Sequence, residues 1–465
     1  MLFDRCKGAF KQTRSWNRAK DLANGILLCM GRSTVTGWLV GCGLQFKDWS
    51  ANYKLFSQNR IDNEAIFSVI RQEVVVKNGN QDENIYAHMD DTLIRKTGKK
   101  VSGAKWMRDP LGPPFQTNLV WGQRFLQLSL TRYNNKDGVL ESKSIPVDFV
   151  HCPLPIKPKK GSDEKAIVEF KEQQKKMKLS KIGLERINHL RENLNNDGCH
   201  NKQLVVSVDG SYTNSEVLKN KKKNITIIGR IRKDAKLSQI PELNSIGRKK
   251  TYGDDLPTPE QIRQSNQYEW QEVEAWACGK KHTFNVKILR NIRWRKSGAQ
   301  NLQLVIIRPV AYRLSKTSKL NYRDPIYLIC TDPELMIEKL LQAYLWRWGI
   351  EVNFKEQKTF LGCGQAQVRT EHSCQNVPAF HTAIYSLLML ASSGENLTEL
   401  PRPKWYKKEK QSAPTTGDII NQFKAATWAE NMSIEYDNFV NLEHVQRSRK
   451  NSPNPSLSAV LYCRN

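Results

Sequence analysis

The chain has no CxxC pair, no closed set of four cysteine or histidine ligands, and no apolar run long enough to cross a bilayer. Each absence excludes a class. Ten cysteines are scattered through 465 residues. Their nearest neighbourhoods, His151-Cys152, Cys199-His200 and Cys363 with Cys374, suit neither a structural zinc site nor a disulfide scaffold. The longest apolar run, AIYSLLMLA from Ala383, is far shorter than the roughly 20 residues a membrane helix needs. No signal-peptide apolar segment follows the opening MLFDRCKGAF, and a cytoplasmic protein is expected. Negative charge is also scarce, since 46 Asp+Glu face 73 Lys+Arg and leave a formal net charge of +27. The excess lies in short runs (KPKK, KNKKK, GRKK, KKEK) rather than in one tail. A surface of this kind fits a polyanion along a wide footprint, and DNA is the expected partner.

What is present is enough to fold: 39% hydrophobic residues can fill one large core or two to three domains. Residues 1–80 read as an N-terminal helical, DNA-binding region, because RAKDLANGILLC and STVTGWLVGC carry apolar residues at helical spacing around the short turn MGR. As a helix-turn-helix they would present Arg32, Ser33, Thr34 and Thr36 to DNA; as a plain helical pair they would not. From NIYAHMDD the period becomes that of a strand, with Ile85, Ala87 and Met89 on one side. TNLVWGQRFLQLSLTRY continues as two strands meeting near Gly122. A charged helical stretch then leads to KQLVVSVDGSYTN, where a fully apolar strand delivers Asp209 at its end.

The expected architecture is α/β, with a mixed sheet flanked by helices and interrupted by a β-rich insertion. Its core occupies 81–219 and 331–397, its insertion 220–330, and a basic, partly disordered region 398–465. GDIINQFKAATWAEN is a possible helix in that last region.

The best-marked helix is expected from Asp332, as N-cap before Pro333, to the terminator Gly362. At about 100° per residue, Tyr344, Arg347, Glu351 and Lys358 fall within roughly 60° of arc. Leu341, Leu345, Trp348 and Val352 form a neighbouring core-facing stripe. Arg347 and Glu351 alone are a helix-stabilising i,i+4 pair worth a few tenths of a kcal/mol. Gly349 in mid-helix costs about 1 kcal/mol against Ala, which points to a close approach there. Two strand-end carboxylates, Asp91 (or Asp90) and Asp209, could converge on Glu351. Such a cluster is costly unless hard divalent cations neutralise it, and two Mg²⁺ or Mn²⁺ ions would suit phosphodiester chemistry.

These segments resemble the DDE transposases of bacterial insertion sequences, in the RNase H-like superfamily. The likeness is to the insertion-sequence-four/701-like group, whose third catalytic segment carries Y-(2)-R-(3)-E-(6)-K. Tyr344, Arg347, Glu351 and Lys358 meet that signature without a gap, MDDTLIRKTGKK resembles the first-aspartate motif, and VVSVDGSYTN the second. The resemblance implies an RNase H-like core and cut-and-paste transposition, with end hydrolysis followed by 3′-hydroxyl strand transfer. It implies Asp91, Asp209 and Glu351 as metal ligands and Tyr344, Arg347 and Lys358 as phosphate contacts. A homodimer on terminal inverted repeats is implied too. Asp91 is preferred to Asp90 because it shares a strand face with Met89. Lys96 and Lys99 are further DNA contacts to test. Trp294, in RNIRWRK, is a candidate for stacking a flipped base, against the plainer alternative of a buried β-domain residue. Loss of activity in a domesticated DNA-binding descendant, or a nuclease without strand transfer, are the competing readings.

Overall fold

The computed structural model describes residues 2–79, 82–109, 112–113, 115–116, 118–136, 138–242, 249–392 and 414–440. The expectation of a basic, partly disordered region from residue 398 therefore lies outside the described residues, apart from 414–440.

After a 3₁₀ helix at Leu2–Ala9, four α-helices follow: α1 (Thr13–Leu28), α2 (Val35–Gly41), α3 (Ser50–Ser57) and α4 (Asn63–Asn78). Thr34 caps α2 by accepting from the Gly37 N–H, and Asp62 caps α4 by accepting from the Ala65 N–H. The apolar faces of these helices do not form a core of their own. Leu22, Trp38, Phe56 and Ile70 join the cluster that holds Phe380, Ala383 and Ile384. The α1–α2 turn is fixed from below: the Ser33 N–H donates to Gln365 Oε1 at 2.7 Å, and the Ser33 hydroxyl accepts from Trp38 Nε1 at 2.8 Å. Of the four residues that a helix-turn-helix would present, Ser33 is buried and Thr34 is a cap. Thr36 shares its hydroxyl with Tyr53 at 2.8 Å. Arg32 is the one of the four that is exposed with no side-chain role in the turn.

The strands that follow are β1 (Asn84–Arg95), β2 (Lys105–Arg108), β3 (Leu119–Lys136), β4 (Val139–His151), β5 (Gln203–Val208), β6 (Ile225–Arg230), β7 (Leu237–Gln239), β8 (Gln271–Ala277), β9 (Lys280–Trp294), β10 (Leu302–Ile307) and, after a small ribbon of β11 (Ala311–Tyr312) with β12 (Asn321–Tyr322), β13 (Ile326–Cys330). Eleven of them form one mixed sheet, ordered β2-β3-β1-β5-β6-β13-β10-β9-β7, with β4 also on β3 and β8 also on β9. β1, β5 and β6 run parallel, while β3 is antiparallel to β1. This is the helix-flanked mixed sheet expected of an RNase H-like core. It also reaches into the segment read as the insertion: β6 pairs with β5, and β13, β10 and β9 add to it antiparallel. The strands between Ile225 and Cys330 lengthen that sheet.

The remaining helices are α5 (Glu164–Lys176), α6 (Leu179–Asn196), α7 (Ser215–Asn220), α8 (Pro259–Gln264), α9 (Ile337–Trp346), α10 (Trp348–Thr359), α11 (Glu371–Ala391) and α12 (Thr416–Val440), the last where a possible helix was expected. Strand alternation assigns them to faces. Met89 meets Gly183 of α6, and Leu204, Val206 and Val208 share its cluster. The opposite face carries Tyr86 and Val205 in the cluster of Leu340, Leu341 and Ala343 of α9, and the Ser207 hydroxyl donates to the Ala343 carbonyl at 3.0 Å.

The helix expected from Asp332 to Gly362 is corrected in two ways. Asp332 accepts from the Glu334 N–H in a local turn, and the helix begins after Met336. It then breaks at Arg347, where the Arg347 N–H donates to Tyr344 O at 3.2 Å and the Ile350 N–H to Arg347 O at 3.0 Å. These three-residue closures are tighter than α-helical ones. Gly349 follows the break, and a Cβ there would stand 2.7 Å from the Ser144 Cβ of β4. α10 therefore lies directly on β4. Trp348 and Val352, expected in the core stripe, are 59% and 37% exposed.

Candidate active site

The first carboxylate segment lies within β1, which runs on to Arg95 instead of ending at the aspartates as expected, and the register decides which aspartate faces which helix. Asp90 lies opposite Gln127 and Asp91 opposite Leu126. Gln127 Oε1 accepts from Gln357 Nε2 of α10 at 3.1 Å, so Asp90 belongs to the α10 face. Its carboxylate accepts from Arg347 Nη1 at 3.3 Å, and Arg347 Nη2 donates to Glu351 Oε1 at 2.9 Å. Asp91 points the other way. It accepts from the Tyr212 hydroxyl at 2.8 Å and pairs with Arg124 at 3.5 Å, on the face that holds Met89 and α6. The alternation that set Met89 and Asp91 together is correct, but their face packs on α6. The preference for Asp91 is therefore corrected to Asp90 as the aspartate that meets Arg347 and Glu351.

Asp209 follows Val208 at the end of β5, where alternation turns it to the same face as Ser207, towards α9. Its charge acts on Asp90, Arg347 and Tyr344. Asp90 and Glu351 thus share one guanidinium, whose side chain is only 12% exposed, and the charge of Asp209 acts on it as well. Burial pushes the Asp90 carboxyl up to about 7, against the stabilising pull of the Asp91 N–H and Arg347. Tyr344 is buried beside them, and its phenol is raised, chiefly by burial. Among the described residues no group of three or more His, Cys, Asp and Glu side chains is drawn together as a ready metal site. The donor chemistry nonetheless fits a hard divalent cation. Asp90 and Glu351 offer hard oxygen donors, and the charge that offsets their repulsion comes from Arg347.

The other expected site residues separate. Lys358 Nζ donates to Thr92 Oγ1 at 2.6 Å and Leu93 O at 3.0 Å, which ties the end of α10 to β1 beside the aspartates. Lys96 is corrected: it is 5% exposed and donates to the carbonyls of Gly364 at 2.8 Å and Ala366 at 3.0 Å. An ammonium held this way braces the chain before α11 and does not face a phosphate. Lys99 is exposed in the turn that follows. Trp294 is corrected as well, because it is 6% exposed, paired with Leu237 and part of the large core cluster. The plainer alternative for it is the right one.

One neighbour escaped the sequence reading. Val208 pairs with Gly229, so Arg230 stands at the end of β6 next to Asp209 at the end of β5. It is exposed, and its charge reaches the Tyr344 phenol. The available signal was a cation closing an apolar strand, ITIIGR, parallel to the one that delivers the aspartate. Gly229 permits the approach, since a Cβ there would lie 2.1 Å from Thr213 Oγ1.

Among the described residues no helix is long and apolar enough to cross a membrane. No curated protein matches the chain. A family model described as DDE superfamily endonuclease matches residues 8–301, a span that includes Asp90, Asp91 and Asp209 and ends before the helix of Glu351. Members of that superfamily generally act on DNA with divalent metal ions. Since the match covers more than half of the 465 residues, the chain belongs to the DDE superfamily endonuclease family.

Proposed function

We propose that the protein is a DNA transposase that cuts an insertion sequence at its ends and joins the freed 3′-hydroxyls to target DNA by a cut-and-paste route. The observation that carries the reading is the guanidinium of Arg347 bridging Asp90 to Glu351, with Asp209 on the same face. Asp90, Asp209 and Glu351 are the residues that would hold two Mg²⁺ or Mn²⁺ ions. Bound there, the ions would activate water or a 3′-hydroxyl and stabilise the leaving oxygen.

The chain's own groups do the rest. Arg347 offsets the carboxylates in the free protein and offers a forked donor to a phosphate when DNA arrives. Tyr344 supplies a ring and a hydroxyl next to it, and Lys358 and Arg230 supply charge at the two sides. Two ends must be processed together, so the working species on DNA is a homodimer bound to paired terminal inverted repeats. The insertion-sequence group is supported by the ungapped Tyr344, Arg347, Glu351, Lys358 spacing.

The test is incubation of the purified protein with Mg²⁺ and DNA carrying the inverted repeats that flank its gene. End cleavage and joined products are expected from wild type and neither from Asp209→Ala. Absence of cleavage by wild type, or equal cleavage by the variant, overturns the proposal. Cleavage without end preference or joining replaces it with a nuclease.

A further inference from the structure

The face that carries Asp90 continues along β3 to an aromatic pair at the edge of the sheet. Asp90 lies opposite Gln127, and Phe125, Gln123 and Trp121 follow at two-residue steps on the same face. Trp121 in turn lies directly opposite Trp106 of β2. At about 3.4 Å per residue, the six positions from Gln127 to Trp121 put the pair roughly 20 Å from the carboxylates. That is about six base-pair steps of duplex.

The two rings have different jobs. Trp121 is anchored: its Nε1 donates to the Gly98 carbonyl at 3.1 Å, and it packs on Val101, Ala104 and Cys374. Trp106 stands edge-on against it, with centroids 5.7 Å apart and planes at 62°, and is 64% exposed. Trp106 therefore presents its ring to solvent from a rigid support. Cations flank it along the chain. Arg108, two residues on and therefore on the same side of β2, is exposed, as are Lys99 and Lys100 in the turn before the strand. Asp109, the carboxylate that ends β2, is engaged by Arg95 at 2.8 Å.

An exposed aromatic face flanked by cations on a firm backing matches the chemistry of an unpaired nucleobase and its phosphates. We propose that Trp106 is a stacking platform for single-stranded DNA, with Arg108, Lys99 and Lys100 holding the adjoining backbone. The inference deepens the proposed function and rests on it for the choice of DNA. The strand it would take is one that leaves the cutting site unpaired.

The test is equilibrium binding in EDTA, independent of cleavage, with fluorescein-labelled oligothymidine of about 20 nucleotides and a blunt duplex of equal length. Base–aromatic stacking is worth about 1–3 kcal/mol, and 1.4 kcal/mol is tenfold in affinity. Trp106→Ala is expected to weaken oligothymidine binding about tenfold or more and duplex binding less than threefold, while Trp106→Phe keeps most of the affinity. Trp106→Leu, which retains apolar bulk against Trp121, is expected to lose as much as the Ala variant. Arg108→Ala is expected to flatten the salt dependence on both probes. Oligothymidine affinity unchanged in the Ala and Leu variants, or an equal loss on duplex, overturns the platform. Cleavage by wild type at the element ends would still stand in that case, so the two readings fail separately.

Discussion

Adjacent aspartates on one strand give the sharpest separation of roles, because Asp90→Asn and Asp91→Asn change the same atoms on opposite faces. Asp91 is 23% exposed in its side chain and holds the Tyr212 hydroxyl at 2.8 Å and Arg124 at 3.5 Å. A hydrogen bond to a charged group contributes about 1.5–3 kcal/mol. Asn keeps an oxygen for the Tyr212 donor, so Asp91→Asn should cost about 1–2 kcal/mol of stability. End cleavage should fall no more than the 10–100-fold typical of a group that acts through a neighbour. Asp90→Asn has the reverse signature. Burial already disfavours its charge and lifts the carboxyl to about 7, so a neutral amide costs little stability or adds some. Removing a carboxylate from the trio around Arg347 should reduce cleavage by at least about 10³-fold, beyond the range of such a neighbour effect. The assay is urea unfolding of both variants beside Mg²⁺-dependent cleavage of inverted-repeat DNA. Loss of cleavage in a well-folded Asp91→Asn, with Asp90→Asn near wild type, would refute the assignment made from the register.

Three further outcomes follow from single contacts. Gly349→Ala should destabilise the protein by about 1–3 kcal/mol, because its Cβ meets that of Ser144 at 2.7 Å, and a urea midpoint equal to wild type would contradict the close approach. His88, His151 and His381 are held neutral by burial, with ring values near 3, 4 and 4 against an ordinary 6.5. Their contribution is complete above pH 6.5 and is lost as pH falls towards 4, at up to about 1.4 kcal/mol per unit for each, since the unfolded chain takes up protons the fold refuses. Unfolding free energies that stay flat from pH 7 to 5, after allowance for carboxylates, would contradict it. Arg230→Ala should leave the unfolding midpoint within about 0.5 kcal/mol of wild type, since the group is exposed, yet lower end cleavage; unaltered cleavage would remove it from the site.

Legibility tracked how local the cause was. Period and punctuation located β1, β5 and the Glu351 helix, because strand alternation and apolar runs are written in consecutive residues. The choice between Asp90 and Asp91 was not. It depends on α6 lying under Met89 and α10 over Gln127, which no window of sequence contains. The close approach was half visible: Gly349 announced it, but the partner, Ser144, is some 200 residues earlier. Lys96 and Trp294 failed for a related reason. Basic and aromatic residues in a polar context look available until their partners, two carbonyls before α11 and the strand of Leu237, are in place.

The break at Arg347 also changes what the Tyr344-to-Lys358 spacing means. On one straight helix, Arg347 and Glu351 would be a surface i,i+4 pair and contribute a few tenths of a kcal/mol. With α10 packed on β4, the arginine is 12% exposed and divides its donors between Glu351 and an aspartate 257 residues away, which makes it a tertiary contact. As the proposed metal ligands, Asp90, Asp209 and Glu351 need a counter-charge that can also turn to DNA. Arg347 meets both needs because it sits at the break, where its backbone is held by three-residue turns and its side chain alone spans the gap. Lysine could balance charge there but could not serve two carboxylates from one planar fork. The spacing is therefore a property of two helices meeting at an arginine, with Lys358 fixing the far end of the second helix to the strand of the aspartate.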